Sequence, residues 1–306
     1  MIPRAALLAA LVVLVAQGQS PELPDPLPLR RVVLSADKIA AELKRHPEGT
    51  LLRRPRAEVE LDLGDSAILI AGGIAAGVVN TLAGGGSLIS VPLLVLIGLP
   101  ATVANGTNRI GVFVQNLVAA WSFRAQGVSG LEGASKVVLP VAIGSLIGAY
   151  TVAKLDDVTF QRIFGLVMLI DLIPMLRRTK PGGEHATRPW PRWLLFSVFA
   201  AIGLYGGAIQ AGVGLLMVGA LNHTGYDLVR ANSIKVATNV VLTAFAIPIF
   251  VFAGQVSWLH AGVLAIGFSV GGALGAKLAV TGGERVIRPA MILAILVLAG
   301  RMLGLY

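Results

Sequence analysis

Residues 73–108 read GIAAGVVNTLAGGGSLISVPLLVLIGLPATVANGTN, and this stretch decides the architecture of the chain. Two apolar runs, 66–83 and 87–99, lie on either side of three consecutive glycines. The second run is shorter than the roughly 20 residues that a helix needs to cross a bilayer. A short run beside a glycine cluster is typical of helices that are broken or re-entrant within a membrane protein.

The composition of the whole chain also indicates a membrane protein. Of its 306 residues, 55% are hydrophobic and only 13% are charged, and the mean hydropathy is +0.79. A soluble protein of this length needs far more polar surface, so an ordinary soluble fold is excluded. The chain has no cysteine, which excludes disulfides, thiol nucleophiles and cysteine-ligated metal sites.

The net charge of +9 has a distribution that argues against nucleic-acid binding. Residues 66–306 contain sixteen Lys and Arg and seven Asp and Glu, whereas residues 20–65 are nearly neutral. The basic excess therefore lies in the most apolar part of the chain, as in the cytoplasmic loops of membrane proteins. We expect no nucleic-acid partner, and the lipid bilayer as the surroundings.

The N-terminal part divides into two segments. Residues 1–19 combine one arginine, a short apolar run and small residues, which predicts a signal peptide or an uncleaved N-terminal anchor. Residues 20–65 are polar and rich in proline, and we expect them to be extracytoplasmic. This segment is interpreted as a linker with one surface helix, or else as a cap or an arm that docks a partner.

Ten apolar elements follow, and they predict an all-α polytopic membrane protein with 8–10 spans. They form two sets of five, residues 66–176 and 193–306, joined by a cytoplasmic linker at 177–192. The predicted elements are 66–83, 87–99, 105–125, 134–153, 158–176, 193–211, 213–222, 233–253, 258–280 and 286–304. The second element of each set is short.

A shift of 127 residues aligns the two sets, which predicts an internal duplication. The matching residues include Gly98 with Gly225, Asn105 with Asn232, Phe123 with Phe250, Gly144 with Gly271 and Gly148 with Gly275. Because five is an odd number, the two halves must lie in opposite orientations, as inverted repeats. If the first element starts outside, the inside connections hold eleven Lys and Arg and the outside ones three. This asymmetry predicts a multi-pass protein of the cell (inner or plasma) membrane with an extracytoplasmic N-terminal segment.

The glycine-rich interruptions are the first candidate binding site. We call residues 80–87 the first break and residues 210–214 the second break. Glycines allow a close approach of the backbone to a ligand, and the free N–H groups of the following helix favour an anion. The alternative is close packing of helices through small residues. The candidate residues are Asn80, Thr81, Gly84, Gly85, Gly86 and Ser87 in the first break, and Gln210, Gly212 and Gly214 in the second. Ser87 is expected either to cap its helix or to donate to a ligand.

The start of the third element in each half carries a second polar cluster. Arg109 and Lys235 occupy almost equivalent positions of the repeat, and a cation inside a membrane helix indicates function. Arg109 is suited to forked recognition of a carboxylate or sulfonate, whereas Lys235 is a point charge. The alternative is that both side chains snorkel to the interface. The remaining candidates are Asn105, Thr107, Asn108 and Asn232.

Asp171 is a weaker candidate. It lies in an apolar stretch, where it is interpreted as a proton-coupling acid or, alternatively, as a residue in a salt bridge or at the interface. The chain has no zinc-protease, hydrolase or nucleotide-binding motif, so the sequence predicts neither an enzyme nor a cofactor.

The stretch around the first break resembles the signature of the TauE/SafE family of sulfite-exporter-like transporters. The resemblance rests on Gly73 to Gly77, the glycines before Ser87, the Val91-Pro92-Leu93-Leu94 run, Gly98-Leu99-Pro100 and Ala104 to Asn108. It covers most of residues 66–304, and it is looser in the second half. It implies secondary export of small sulfur-containing or organic anions, such as sulfite or sulfoacetate.

The function predicted from the sequence is therefore secondary transport of a small anion by alternating access. The anion would lie between the two breaks, and a proton or the membrane potential would drive it. The alternatives are an anion channel, and a membrane scaffold without transport activity that docks a partner through residues 20–65.

Overall fold

The computed structural model describes residues 61–176, 190–281, 298–300 and 302. The predicted signal peptide, nearly all of segment 20–65, most of linker 177–192 and most of the tenth element lie outside the described residues. Within them, the secondary structure is helical and contains no strand. The helices are α1 (Leu63–Ala83), α2 (Ser87–Leu96), α3 (Ala101–Ala125), α4 (Leu131–Val152), α5 (Asp157–Leu176), α6 (Arg192–Ala208), α7 (Val213–His223), α8 (Leu228–Phe252) and α9 (Trp258–Val280).

The polytopic membrane architecture predicted from the sequence is confirmed. In the described part of the chain, α1, α4, α8 and α9 are long and apolar enough to cross a membrane. The short helices are also confirmed, because α2 has 10 residues and α7 has 11. The inverted relation of the two halves stays a prediction.

Local capping explains where several helices begin. The Asp62 side chain accepts a hydrogen bond from the backbone N–H of Asp65 at the start of α1, and Asp227 does the same for Arg230 at the start of α8. Pro100 directly precedes α3. As a result, α3 and α8 begin at Ala101 and Leu228, earlier than the predicted 105 and 233. The polar clusters of these two helices therefore lie inside them and not at their first turns.

The described helices form two bundles, and each bundle includes one helix from the other half of the chain. The helices α1, α2 and α3 pack with one another and with α9, and α6, α7 and α8 pack with one another and with α4. Each bundle thus takes its fourth helix from the other half of the chain. The contact between α3 and α8 joins the bundles, and α5 packs on α3.

Glycines bring the exchanged helices into close contact. In the α1/α9 pair, a Cβ at Gly77 would lie 2.9 Å from the carbonyl oxygen of Phe268 and 3.0 Å from Cα of Gly271. In the α4/α6 pair, Gly148 and Gly207 face the backbone of the opposite helix in the same way. Small residues at such contacts allow membrane helices to approach closely.

We expect Gly77→Ala to destabilise the protein moderately, because α1 and α9 must separate by a few tenths of an ångström to admit the methyl group. The cost is about 1 kcal/mol, measured as a lower unfolding temperature in detergent. Gly262→Ala is the matched control, since a Cβ on Gly262 of α9 meets nothing within 4 Å. Equal stability of the two variants would contradict the tight packing of this pair.

Candidate functional site

The two breaks contact each other directly. The first break turns at Gly84, with φ 77°, between α1 and α2, and the second turns at Gly212, with φ 65°, before α7. A Cβ added to Gly84 would overlap the backbone of Gly214, and a Cβ added to Gly214 would overlap Gly84. We call this contact the crossing. The glycines of the two breaks thus have a packing role as well as a conformational one, so the small-residue alternative holds for Gly84 and Gly214.

Gln210 gives the second break an unusual backbone. Its φ is 64°, the one positive value at a non-glycine residue in the described chain. The side chain is buried, and its Nε2 donates to Oγ1 of Thr243 at 3.2 Å. Backbone conformations of this kind persist where surrounding contacts hold them, and they concentrate at functional sites.

Lys235 binds the end of α1. Its Nζ donates to the carbonyl oxygens of Asn80 at 3.0 Å and of Thr81 at 2.8 Å, and to Oδ1 of Asn232 at 2.8 Å. The last carbonyls of a helix carry partial negative charge and lack a full set of partners within the helix, although the Asn80 oxygen here also accepts from the backbone N–H of Gly84. A buried ammonium at this place satisfies them and complements the helix dipole.

Arg109 does the same at the end of α6. Its Nη1 donates to the carbonyl oxygen of Gly206 and its Nη2 to that of Ala208, both at 2.9 Å. Asn105 donates to the same Ala208 oxygen at 3.1 Å. The guanidinium also lies over the ring of Phe250, 4.6 Å from its centroid, which is a cation–π contact.

The two cations therefore connect the bundles crosswise. Lys235 belongs to α8 and binds the end of α1, whereas Arg109 belongs to α3 and binds the end of α6. Both side chains are 0% exposed, so the alternative that they snorkel to the interface is wrong. The sequence did not indicate that helix ends of the opposite bundle would be their partners.

Amide and hydroxyl side chains of α3 fix the first break. Asn80 donates to Oε1 of Gln115 at 2.5 Å, and Gln115 donates to Oγ1 of Thr81 at 2.6 Å. Asn108 donates to Oγ of Ser87 at 2.9 Å. The N-cap of α2 is Gly86, so the expectation that Ser87 caps this helix is wrong.

The structure gathers most of the predicted site residues, with Thr107 as the clearest departure. Oγ1 of Thr107 accepts from the backbone N–H of Ser257, at the connection between α8 and α9. The Thr107 hydroxyl therefore binds the connection between α8 and α9, and no described hydrogen bond joins it to either break. Gly85 accepts at its carbonyl from Leu88 within the first turn of α2. Gly86 packs against Ala76 of α1.

Three buried polar atoms beside the end of α6 have no hydrogen-bond partner among the described residues. They are Nε of Arg109, Oδ1 of Asn105 and Oε1 of Gln210. Buried polar groups normally have partners, and exceptions call for an explanation. One donor on a cation and two amide acceptors beside the end of α6 and the start of the second break are suited to a small polar ligand.

Asp171, a weaker candidate of the sequence analysis, lies buried against the second break. It is 8% exposed, and its Oδ2 accepts from the Tyr205 hydroxyl at 3.1 Å. A Cβ on Gly212 would overlap its carboxyl group. No salt bridge to it forms within the described residues, and the choice between a proton-coupling acid and the salt-bridge or interfacial alternatives stays a prediction. An acid in an otherwise apolar helix was the available signal.

Buried charge in the described part of this protein is predominantly positive. Arg109 and Lys235 are both fully buried, and Asp171 is the one buried carboxylic acid. The excess of cations near the two breaks favours a negatively charged ligand.

Comparison with known proteins finds a family model and relatives that match most of the chain. The family model described as sulfite exporter TauE/SafE matches residues 69–302. A probable membrane transporter protein of Haemophilus influenzae is 27% identical over 239 residues, which cover 77% of this chain and 93% of that protein. A probable membrane transporter protein, ORF9, of Sinorhizobium is 24% identical and covers 78% of this chain and 92% of its own length.

YfcA of Escherichia coli K12, also described as a probable membrane transporter protein, is 24% identical over 74% of this chain and 86% of its own length. No solved structure matches the chain. The matched residues include both breaks and both buried cations.

Proposed function

The chain belongs to the sulfite exporter TauE/SafE family, and from this membership we propose that it exports small sulfur-containing or organic anions across the cell membrane by alternating access. Sulfite, sulfoacetate and small carboxylates are the substrate class. The proposal places the N-terminal segment outside, in accordance with the charge asymmetry of the connections.

The observation that carries the proposal is the convergence of two fully buried cations on the two breaks. Arg109 and Lys235 hold the ends of α6 and α1, next to the glycines where α2 and α7 begin. The N-terminal ends of these short helices point free N–H groups and positive partial charge at a ligand. Nε of Arg109 has no partner among the described residues and is a donor for the anion.

The exchange of helices between the bundles supports a specific form of alternating access. We infer that the moving units are α1–α3 with α9 and α6–α8 with α4, because the four most extensive helix contacts, α1 and α3 with α9 and α6 and α8 with α4, all lie within these units. The sequence analysis expects one half of the chain to rock on the other. In this proposal the moving units are instead the two bundles, each of which contains one helix from the opposite half. The hydrogen bonds of Arg109 and Lys235 each join the two units, so they limit the movement of one unit relative to the other.

Flux measured in proteoliposomes tests this function. We expect saturable efflux of at least one anion from a panel of sulfite, sulfoacetate and small carboxylates, with no comparable flux of alkali cations. Empty liposomes, and liposomes with heat-denatured protein, are the controls. Flux that rises linearly with anion concentration and does not respond to a pH gradient would favour a channel. Absence of flux for every anion of the panel would contradict the proposal.

A further inference from the structure

The Asp171 carboxyl group lies against the second break from the side of α5. Both of its oxygens and its Cγ occupy the space that a Cβ of Gly212 would fill. Gly212 has the left-handed φ of 65° that turns the chain into α7. Any change in the charge or hydration of this carboxyl group therefore acts directly on the backbone of the break.

The surroundings of Asp171 supply little to stabilise its negative charge. On α6 the group that faces it is the Tyr205 hydroxyl, which donates to Oδ2, and the second break presents the backbone of Gly212. Of the described helices, α3 packs most extensively on α5, and its buried cation Arg109 donates to the carbonyls of Gly206 and Ala208. Asp171 has no ion-pair partner among the described residues, and a buried carboxyl group without such a partner exchanges a proton more readily than one held in a salt bridge.

The carboxyl group is also connected to the proposed anion site. Tyr205 lies on the last turn of α6, the turn whose carbonyl groups Arg109 binds. An ionised Asp171 places a negative charge beside this turn and opposes an incoming anion, whereas a protonated Asp171 does not. Proton binding and anion binding are therefore positively linked, and such linkage is reciprocal.

We propose that Asp171 is the proton-binding site of the transporter, and that a proton and the anion cross the membrane in the same direction. The proposal rests on the proposed function and adds the coupling ion and its site to it. Efflux is then driven by the concentration of the anion inside the cell. The oxygen that takes up the proton is Oδ1 or Oδ2 of Asp171, and the same oxygen releases it on the other side.

The test separates coupled from uncoupled transport in proteoliposomes that contain a pH-sensitive dye. The membrane potential is held at zero, and the probe is sulfoacetate, whose sulfonate and carboxylate remain ionised near neutral pH. An outward gradient of sulfoacetate is expected to carry protons outward with the wild-type protein. Exchange of internal sulfoacetate for labelled external sulfoacetate, which needs no net proton movement, is measured in parallel.

Asp171→Asn is the decisive variant, because asparagine has the shape of a protonated carboxyl group and no charge. We expect proton movement to fall by about tenfold or more, with exchange within about threefold of wild type. Asp227→Asn is the matched control, since Asp227 is an exposed N-cap, and it should change neither reading. Proton coupling that survives in Asp171→Asn, or protons that move against the anion, would overturn the proposal.

A second measurement on the wild-type protein covers the case in which Asp171→Asn does not fold. Hydrophobic carbodiimides react with protonated carboxyl groups in apolar surroundings. Mass spectrometry should find the adduct on Asp171, decreasing as the pH rises, and not on Asp227. Absence of an adduct on Asp171 at every pH would refute the assignment. Absence of wild-type exchange for every anion of the panel would instead refute the proposed function, and the carbodiimide result would then test Asp171 by itself.

Discussion

Replacing Arg109 with alanine is expected to lower anion flux by at least about 100-fold. The change removes two hydrogen bonds from a charged donor to the end of α6 and the donor Nε that has no partner among the described residues. A hydrogen bond to a charged group contributes about 1.5–3 kcal/mol, and 1.4 kcal/mol corresponds to a factor of ten. The loss therefore affects both the position of the second break and the binding of the anion.

Two further variants make this result interpretable. Arg124→Ala removes an exposed arginine from the same helix, α3, and should leave flux within about threefold of wild type. Arg109→Lys keeps the charge but loses the fork that reaches two carbonyl oxygens, so we expect an intermediate flux. Thermal unfolding in detergent shows which part of the effect is loss of folded protein. Flux of folded Arg109→Ala equal to that of Arg124→Ala would exclude a role of Arg109 in transport.

Most helix positions could be predicted from the sequence, because apolar length and glycine clusters are local signals. The predicted 258–280 matches α9, and the predicted 213–222 differs from α7 by one residue. The starts of α3 and α8 were predicted late, since Asn105 and Asn232 were interpreted as the first polar residues of new helices. Burial inside the bundles allows these amides to lie within a helix.

The partners of the site residues could not be predicted, because they come from the other half of the chain. Lys235 binds carbonyl groups 154 and 155 residues away, and Arg109 binds carbonyl groups 97 and 99 residues away. The sequence predicts a role for both cations, but no local signal shows which carbonyl groups a buried cation binds. Asp171 was placed low for the same reason, since its neighbours Tyr205 and Gly212 lie on the other bundle.

The exchange of α4 and α9 between the bundles also escaped sequence analysis. A repeat read along the chain suggests that each half forms its own unit. The glycines that align between the halves, Gly144 with Gly271 and Gly148 with Gly275, instead face helices of the opposite half. The aligned glycines therefore indicate which helix faces are in close contact. Which helix each face contacts is known only from the packing.

Gly84→Ala is expected to destabilise the protein strongly, because the added methyl group has two separate energetic costs. The left-handed φ of 77° at Gly84 costs about 1 kcal/mol for a residue with a Cβ. In addition, the methyl group would overlap the backbone of Gly214, which cannot rotate away as a side chain can. Overpacking of this kind costs about 1–3 kcal/mol. Together these costs are a large part of the stability of a typical domain.

Size-exclusion profiles and unfolding temperatures in detergent measure this effect, with two glycine variants for comparison. Gly219→Ala lies on an exposed face of α7, where a Cβ meets nothing within 4 Å, and should be as stable as wild type. Gly214→Ala fills the same crossing from the other side, but Gly214 has no positive φ, so we expect a smaller loss than for Gly84→Ala. Wild-type stability of Gly84→Ala would mean that the two breaks do not touch, and the anion site proposed between them would lose its geometric basis.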